Sequence, residues 1–236
     1  MKLLLLHHAG GDKYAYKVLV NKLEAVGFIC ICYELSGRSD RYAEPLNNNL
    51  QTTIDKLELF INQQFKSNET YAIIGLSMGA LLAYLVSHQL VQKEKNAPKL
   101  LILSSRMSLS SYANDIDFNQ MTSEAFWQYI LKYGGFSEQF LQHQELKNFY
   151  EPILRNDFSL LNQFKISMAD ELSLDIPAYI LNGKEDFTIH QNGINDWRSY
   201  FNGVLEFEIF KGGHFFLYDA SDEIVDFIIG KINHYD

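Results

Sequence analysis

Cysteine, proline and runs of positive charge are all scarce in this 236-residue chain, and each scarcity removes a class of protein. The two cysteines, Cys30 and Cys32, stand two apart in an apolar, β-like run. On a strand that spacing puts both on one face about 6.5–7 Å apart, too far for a relaxed disulfide. A disulfide scaffold is excluded, and a reduced, cytoplasmic compartment with the thiols as buried packing groups is expected. With 4 prolines and 14 glycines against 14% aromatic residues, the chain is not a disordered polymer. Lys and Arg number 20 against 29 acidic residues, a net charge of −9, so binding nucleic acid through its phosphates is not expected. No apolar stretch approaches the roughly 18–20 residues of a membrane span, and the run at residues 3–6 is too short for a signal peptide.

What is present is a hydrophobic fraction of 47%, enough for one sizeable core. A chain of this length hides roughly 70–75% of its unfolded surface, so no metal or disulfide staple is required. Short apolar runs at 2–6, 27–33, 71–76, 99–104, 178–181 and 205–210 read as strands, most of them apolar on both faces. Between them Leu50, Ile54, Leu57, Ile61 and Phe65 form one helical stripe, and Leu81, Leu82, Leu85, Val86 and Leu90 form another. Ile224, Phe227, Ile228 and Ile232 form a third. This alternation predicts an α/β fold: a mostly parallel open sheet flanked by helices on both faces, in a single domain over 1–236.

One interval, about 105–175, is twice as long as a crossover helix needs. Thr122 or Ser123 caps a stretch containing Phe126, Tyr129, Ile130 and Tyr133, stopped by Gly134-Gly135; Ser137 caps the next, and Pro152 interrupts the segment beyond it. Its aromatic content exceeds that of a solvated loop. The expected structure is a helical lid inserted over the carboxyl edge of the sheet.

The strongest chemical signal is Gly75-Leu76-Ser77-Met78-Gly79, set between a strand-like run and an amphipathic helix. That is the setting of a nucleophile elbow, in which glycines on either side leave room where a side chain would strike a neighbouring strand or helix. A glycine-rich turn capped by serine would give the same letters, so partners matter. A serine nucleophile needs a base, and the base an orienting acid, following in the order acid then histidine in hydrolases of this type. His214, in Lys211-Gly212-Gly213-His214, comes after the last strand and is the candidate base. His88, His143, His190 and His234 fall in helices, in the lid or outside the loop. Asp186, after the strand at 178–181, is the candidate acid, with Glu185 a close rival and Asp175 behind it. Two N–H donors are needed for a tetrahedral oxyanion. Met78, directly after the serine, supplies one; Ala9, in His7-His8-Ala9-Gly10-Gly11, is the candidate for the other, although those glycines also suit an ordinary turn.

Taken with Leu35-Ser36-Gly37-Arg38-Ser39-Asp40-Arg41, Pro152-Ile153-Leu154-Arg155-Asn156-Asp157 and Gly213-His214-Phe215-Phe216, these segments resemble, in order and spacing, the type II thioesterases of polyketide and nonribosomal peptide synthetases. That family belongs to the α/β-hydrolase superfamily. The resemblance spans nearly the whole chain, with one departure: Ser36 stands where the family usually has proline. It implies an α/β-hydrolase fold and hydrolysis of acyl thioesters from the phosphopantetheine arm of an acyl- or peptidyl-carrier protein, through an acyl-Ser77 intermediate. It implies no metal and no cofactor of the enzyme's own, since phosphopantetheine arrives on the partner. Arg38 and Arg41 are expected to make structural ion pairs. Carrier proteins are commonly acidic, so docking by a chain at −9 should be local and partly apolar. A monomer is expected.

Two other readings use the same residues. A carboxylesterase or small lipase would cleave oxygen esters with the same triad. A non-catalytic, hydrolase-like scaffold would need no triad at all, whereas every expected position is filled here.

Overall fold

The strand-like runs form one six-stranded parallel sheet in the computed structural model, which describes residues 1–111, 116–164 and 173–235. The strands are β1 (Lys2–Leu6), β2 (Ile29–Tyr33), β3 (Tyr71–Leu76), β4 (Leu100–Ser104), β5 (Ala178–Gly183) and β6 (Leu205–Phe210), in the order β2-β1-β3-β4-β5-β6. The central strands β3, β4 and β5 are buried throughout, whereas the edge strands β2 and β6 are partly exposed.

Side-chain alternation divides the core into two layers. Leu3, Leu5, Ile74 and Leu181 pack with Leu19 and Leu23 of α1 (Lys17–Ala25) and with Ile224 and Ile228 of the last helix (Asp222–Tyr235). On the other face Leu4, Leu6, Ile73 and Leu103 pack with Ile54 and Leu57 of α2 (Leu50–Gln64) and with Leu81 and Tyr84 of α3 (Met78–Gln92). The register sets Leu6 opposite Gly75, Leu76 opposite Ser104, and Ser104 opposite Leu181. The loops leaving β1, β3, β4 and β5 therefore emerge side by side at one edge, and β1 and β3 flank the point where the order of strands reverses. Binding sites in open α/β sheets form at such an edge.

The interval between β4 and β5 is helical, with residues 112–115 and 165–172 outside the described residues. It contains α4 (Ser123–Ile130), α5 (Glu138–Gln142) and α6 (Gln144–Gln163). Thr122 caps α4 by accepting the Ala125 N–H at 3.2 Å, and Ser137 caps α5 by accepting the Phe140 N–H at 3.1 Å. Gly134 and Gly135 turn the chain at φ of 75° and 85°. Phe118, Phe126, Trp127 and Phe158 are buried in the same cluster as the sheet, which accounts for the aromatic content.

Three expectations are corrected. Pro152 does not interrupt the helix: α6 runs through it. Proline removes one hydrogen bond, to the Asn148 carbonyl, but both residues lie on the exposed face, where water can serve that carbonyl. On the opposite face Ile153, Leu154, Phe158 and Leu161 are buried and hold the helix in place. Second, α3 has no single buried stripe. Its Ala83, Tyr84 and Ser87 are buried as well, because the helix is enclosed by the sheet, α2 and the residues around Trp197 and Tyr200. Third, Cys30 and Cys32 are free and only half-buried, since β2 is an edge strand. Burial nevertheless pushes both thiols up to about 12, which keeps them protonated near neutrality. Among the described residues, no helix is long and apolar enough to cross a membrane.

Candidate active site

Ser77 is the one residue between the end of β3 and the start of α3, and it makes the turn at φ 56°, ψ −109°. A side chain at positive φ is strained, and such strain persists only where surrounding structure enforces it. Here the Ser77 N–H donates to the Ser104 carbonyl at 2.8 Å, while its carbonyl accepts the Ala80 and Leu81 N–H groups at 3.1 and 3.3 Å. The glycines permit the close approach. A Cβ on Gly75 would lie 2.3 Å from the Gly79 carbonyl oxygen, and one on Gly79 would lie 2.0 Å from the Leu6 carbonyl oxygen.

His214 and Asp186 come together, and His214 lines the same cavity as Ser77. The His214 Nδ1–H donates to Asp186 Oδ2 at 2.7 Å, with both side chains nearly inaccessible to solvent. Burial pushes the Asp186 carboxyl up, but hydrogen bonds from His214 and Thr188 outweigh it and hold the group below the usual range. Thr188 is a member of this cluster that the sequence does not single out: its Oγ1–H donates to Asp186 Oδ1 at 2.6 Å and lies 3.2 Å from His214 Nδ1. The histidine loop is held from three sides. Ser105 Oγ donates to the His214 carbonyl at 2.7 Å, and the Glu185 N–H donates to the Gly212 carbonyl at 2.9 Å. The Glu185 carboxylate accepts the Gly212 N–H. Glu185, the rival for the acid, is thus occupied with the loop backbone, and Asp175 is exposed beside Gly203, away from His214. His88, His143, His190 and His234 do not line the cavity that contains Ser77.

The loop after β1 lies beside the serine. The Gly10 N–H donates to Asp157 Oδ2 at 2.7 Å and the Gly11 N–H to the His8 carbonyl at 3.1 Å. The His8 N–H points to the Tyr218 hydroxyl at 3.4 Å. Among the described residues, the Ala9 N–H and the Met78 N–H at the start of α3 have no protein acceptor. Both histidines of this loop are engaged by protein partners, and His8 also lines the cavity that contains Ser77. His7 Nδ1–H donates to the His8 carbonyl at 2.8 Å, and its Nε2 faces Glu34 at 3.4 Å. The His8 ring meets the Tyr218 hydroxyl at 2.7 Å, and burial, reinforced by His7, lowers its pKa well below the ordinary value, so it stays neutral. Tyr218 is a second partner that the sequence pattern does not announce. Arg38 forms a two-pronged ion pair with Asp157, and Arg41 one with Glu44, as the sequence suggests.

Ser77, His214 and Ala9 line one cavity of about 410 Å³. Its far wall comes from α4 to α6 and is almost wholly apolar, including Ile130, Tyr133, Phe136, Tyr150 and Phe158. The Tyr133 ring stands edge-on to His214, centroids 5.1 Å apart. A strained serine, a buried carboxylate–imidazole pair, free N–H donors and an apolar chamber are together the parts that acyl transfer requires.

Comparison with known proteins finds relatives over nearly the whole chain. The chain is 26% identical to the gramicidin S biosynthesis protein GrsT of Aneurinibacillus migulanus over 98% of its length and 89% of that protein's. It is 28% identical to thioesterase PikA5 of Streptomyces venezuelae, over 95% of this chain and 78% of that one. The crystal structure of ClbQ, from the colibactin NRPS/PKS pathway, superposes with a TM-score of 0.89 at 22% identity, covering 99% of this chain and 97% of that one, a match of α/β-hydrolase folds. The family model for the thioesterase domain matches residues 1–232, and the chain belongs to that family.

Proposed function

We propose that this protein is a type II thioesterase that clears acyl groups from the phosphopantetheine arm of a carrier protein in a polyketide or nonribosomal peptide pathway. The observation that carries the reading is the opening of Ser77 and His214 together into an apolar chamber, within a thioesterase-family chain. Residues 105–175 act as the lid of a single domain.

Ser77 Oγ attacks the thioester carbonyl as His214 Nε2 takes its proton. The Asp186 carboxylate, accepting the Nδ1–H, fixes the tautomer that leaves Nε2 free and stabilises the imidazolium that forms. Charge developing on the carbonyl oxygen is met by the Met78 and Ala9 N–H groups. Each such donor is typically worth about 10²–10³ in rate. The thiol departs, leaving an acyl-serine, and His214 then activates the water that releases the acid. An alkyl thiol is a good leaving group, so its protonation asks little of the site, and positioning of the acyl group in the aromatic chamber dominates. Phosphopantetheine is part of the substrate, and the reaction draws on no cofactor of the enzyme's own.

A panel of acyl groups presented on phosphopantetheinylated carrier, on coenzyme A and as aryl or alkyl oxygen esters tests the assignment. Hydrolysis of the carrier-bound thioester is expected to exceed that of the oxygen ester of the same acyl group. A consistent preference for the oxygen esters would transfer the protein to the carboxylesterases.

A further inference from the structure

Helix α6 grips the loop after β1 at one residue, Gly10, from two directions. Asp157 accepts the Gly10 N–H, and Leu154, one turn earlier, packs so closely that a Cβ on Gly10 would lie 2.2 Å from Leu154 Cδ2. Gly10 has φ of 79°, so glycine satisfies both the conformation and the contact. Asp157 is completely buried. Arg38 Nη1 and Nη2 donate to its two oxygens at 2.6 and 2.8 Å, and Nη1 also reaches the Gly11 carbonyl at 3.2 Å.

A buried ion pair is weak evidence for stability, because apolar residues of similar volume often replace it at no cost. A carboxylate offers something an apolar side chain cannot: enough lone pairs to take both arms of a guanidinium and a backbone N–H together. That third bond falls on the Ala9–Gly10 peptide. The preceding peptide, which carries the Ala9 N–H, is fixed at its carbonyl by His7 Nδ1 and by the Gly11 N–H. The Gly11 N–H directly follows Gly10 in the chain, so one of the two bonds that orient the peptide carrying the Ala9 N–H closes through the residue that α6 holds.

From this we infer that Asp157 is a positioning residue for acyl transfer, aiming the Ala9 N–H through Gly10, so that the oxyanion site is complete only when α6 is seated. The inference rests on the proposed role of Ala9 as an oxyanion donor. Loosening a donor by a fraction of an ångström weakens the transition state more than the ground state.

The experiment compares two double variants that both lack the ion pair. Arg38→Leu with Asp157→Asn retains an oxygen acceptor for Gly10; Arg38→Leu with Asp157→Leu does not. Each is checked for folding by thermal melting, then assayed with an aryl ester of a medium-chain acid and with a matching trifluoromethyl ketone, whose adduct on serine carries the oxyanion. The asparagine pair is expected to stay within about threefold of the native kcat. The leucine pair should lose about 10- to 100-fold in kcat with KM nearly unchanged, and ketone affinity should fall by a similar factor. If the leucine pair does not fold, Arg38→Leu with Asp157→Ala takes its place under the same criteria. Equal kcat and equal ketone affinity in the two double variants would overturn the role of Asp157 alone. A native protein that is never acylated by the ester would instead overturn the Ser77 reading on which it rests.

Discussion

Ser77→Ala is expected to reduce acyl-thioester hydrolysis by about 10⁶-fold while leaving the melting temperature at or above the native value. The two halves of this result belong together. Ser77 holds its position through backbone bonds to Ser104, Ala80 and Leu81, all of which alanine retains. Alanine remains strained at φ 56°, but the strain is inherited and not increased. A loss of activity in a well-folded variant is what separates a nucleophile from a capping serine. If turnover persisted within about tenfold of native, the elbow would be a structural turn and another residue would have to carry the hydrolysis.

Gly79→Ala is expected to cost about 3 kcal/mol or more and to give largely insoluble protein. A Cβ here meets the Leu6 carbonyl oxygen at 2.0 Å, the Leu6 carbonyl carbon at 2.6 Å and the His7 carbonyl oxygen at 2.8 Å. All three atoms are backbone, so no rotamer change relieves the contact; α3 must move off the end of β1. That movement would separate Met78 from Ala9, so any folded fraction should also be poorly active. Denaturant unfolding of the purified variant measures the first effect, and turnover per folded molecule the second. Native-like stability would show that α3 and β1 are not tightly apposed at this point.

Much of this was legible because the sequence signals concern backbone space. Gly75 and Gly79 mark an approach that excludes a Cβ, and alternating apolar runs between helical stripes mark a covered parallel sheet. The Asp186–His214 pair is readable from chain order and strand position, although Glu185, one residue away, could be set aside only once its bonds to Gly212 were seen. Tyr218 carries no local signature, its partner His8 being 210 residues distant in the chain, and Thr188, although it bonds Asp186 two residues away, meets His214 only in the fold, 26 residues on. Asp157 is a similar case. Its residue type beside Arg155-Asn156 suits a surface helix, and only the packing of α6 against Gly10 and Arg38 makes it buried. Pro152 misleads for the opposite reason, since a local rule about helix breaking yields to the burial of the opposite face.

Rapid mixing with an acyl-phosphopantetheinyl carrier, acid quenching within a turnover and peptide mass spectrometry tests the central claim most directly. A mass increase equal to the acyl group is expected on the peptide containing Ser77, absent in Ser77→Ala. Hydrolysis at the native rate with no adduct on Ser77, or with the adduct on another residue, would contradict it.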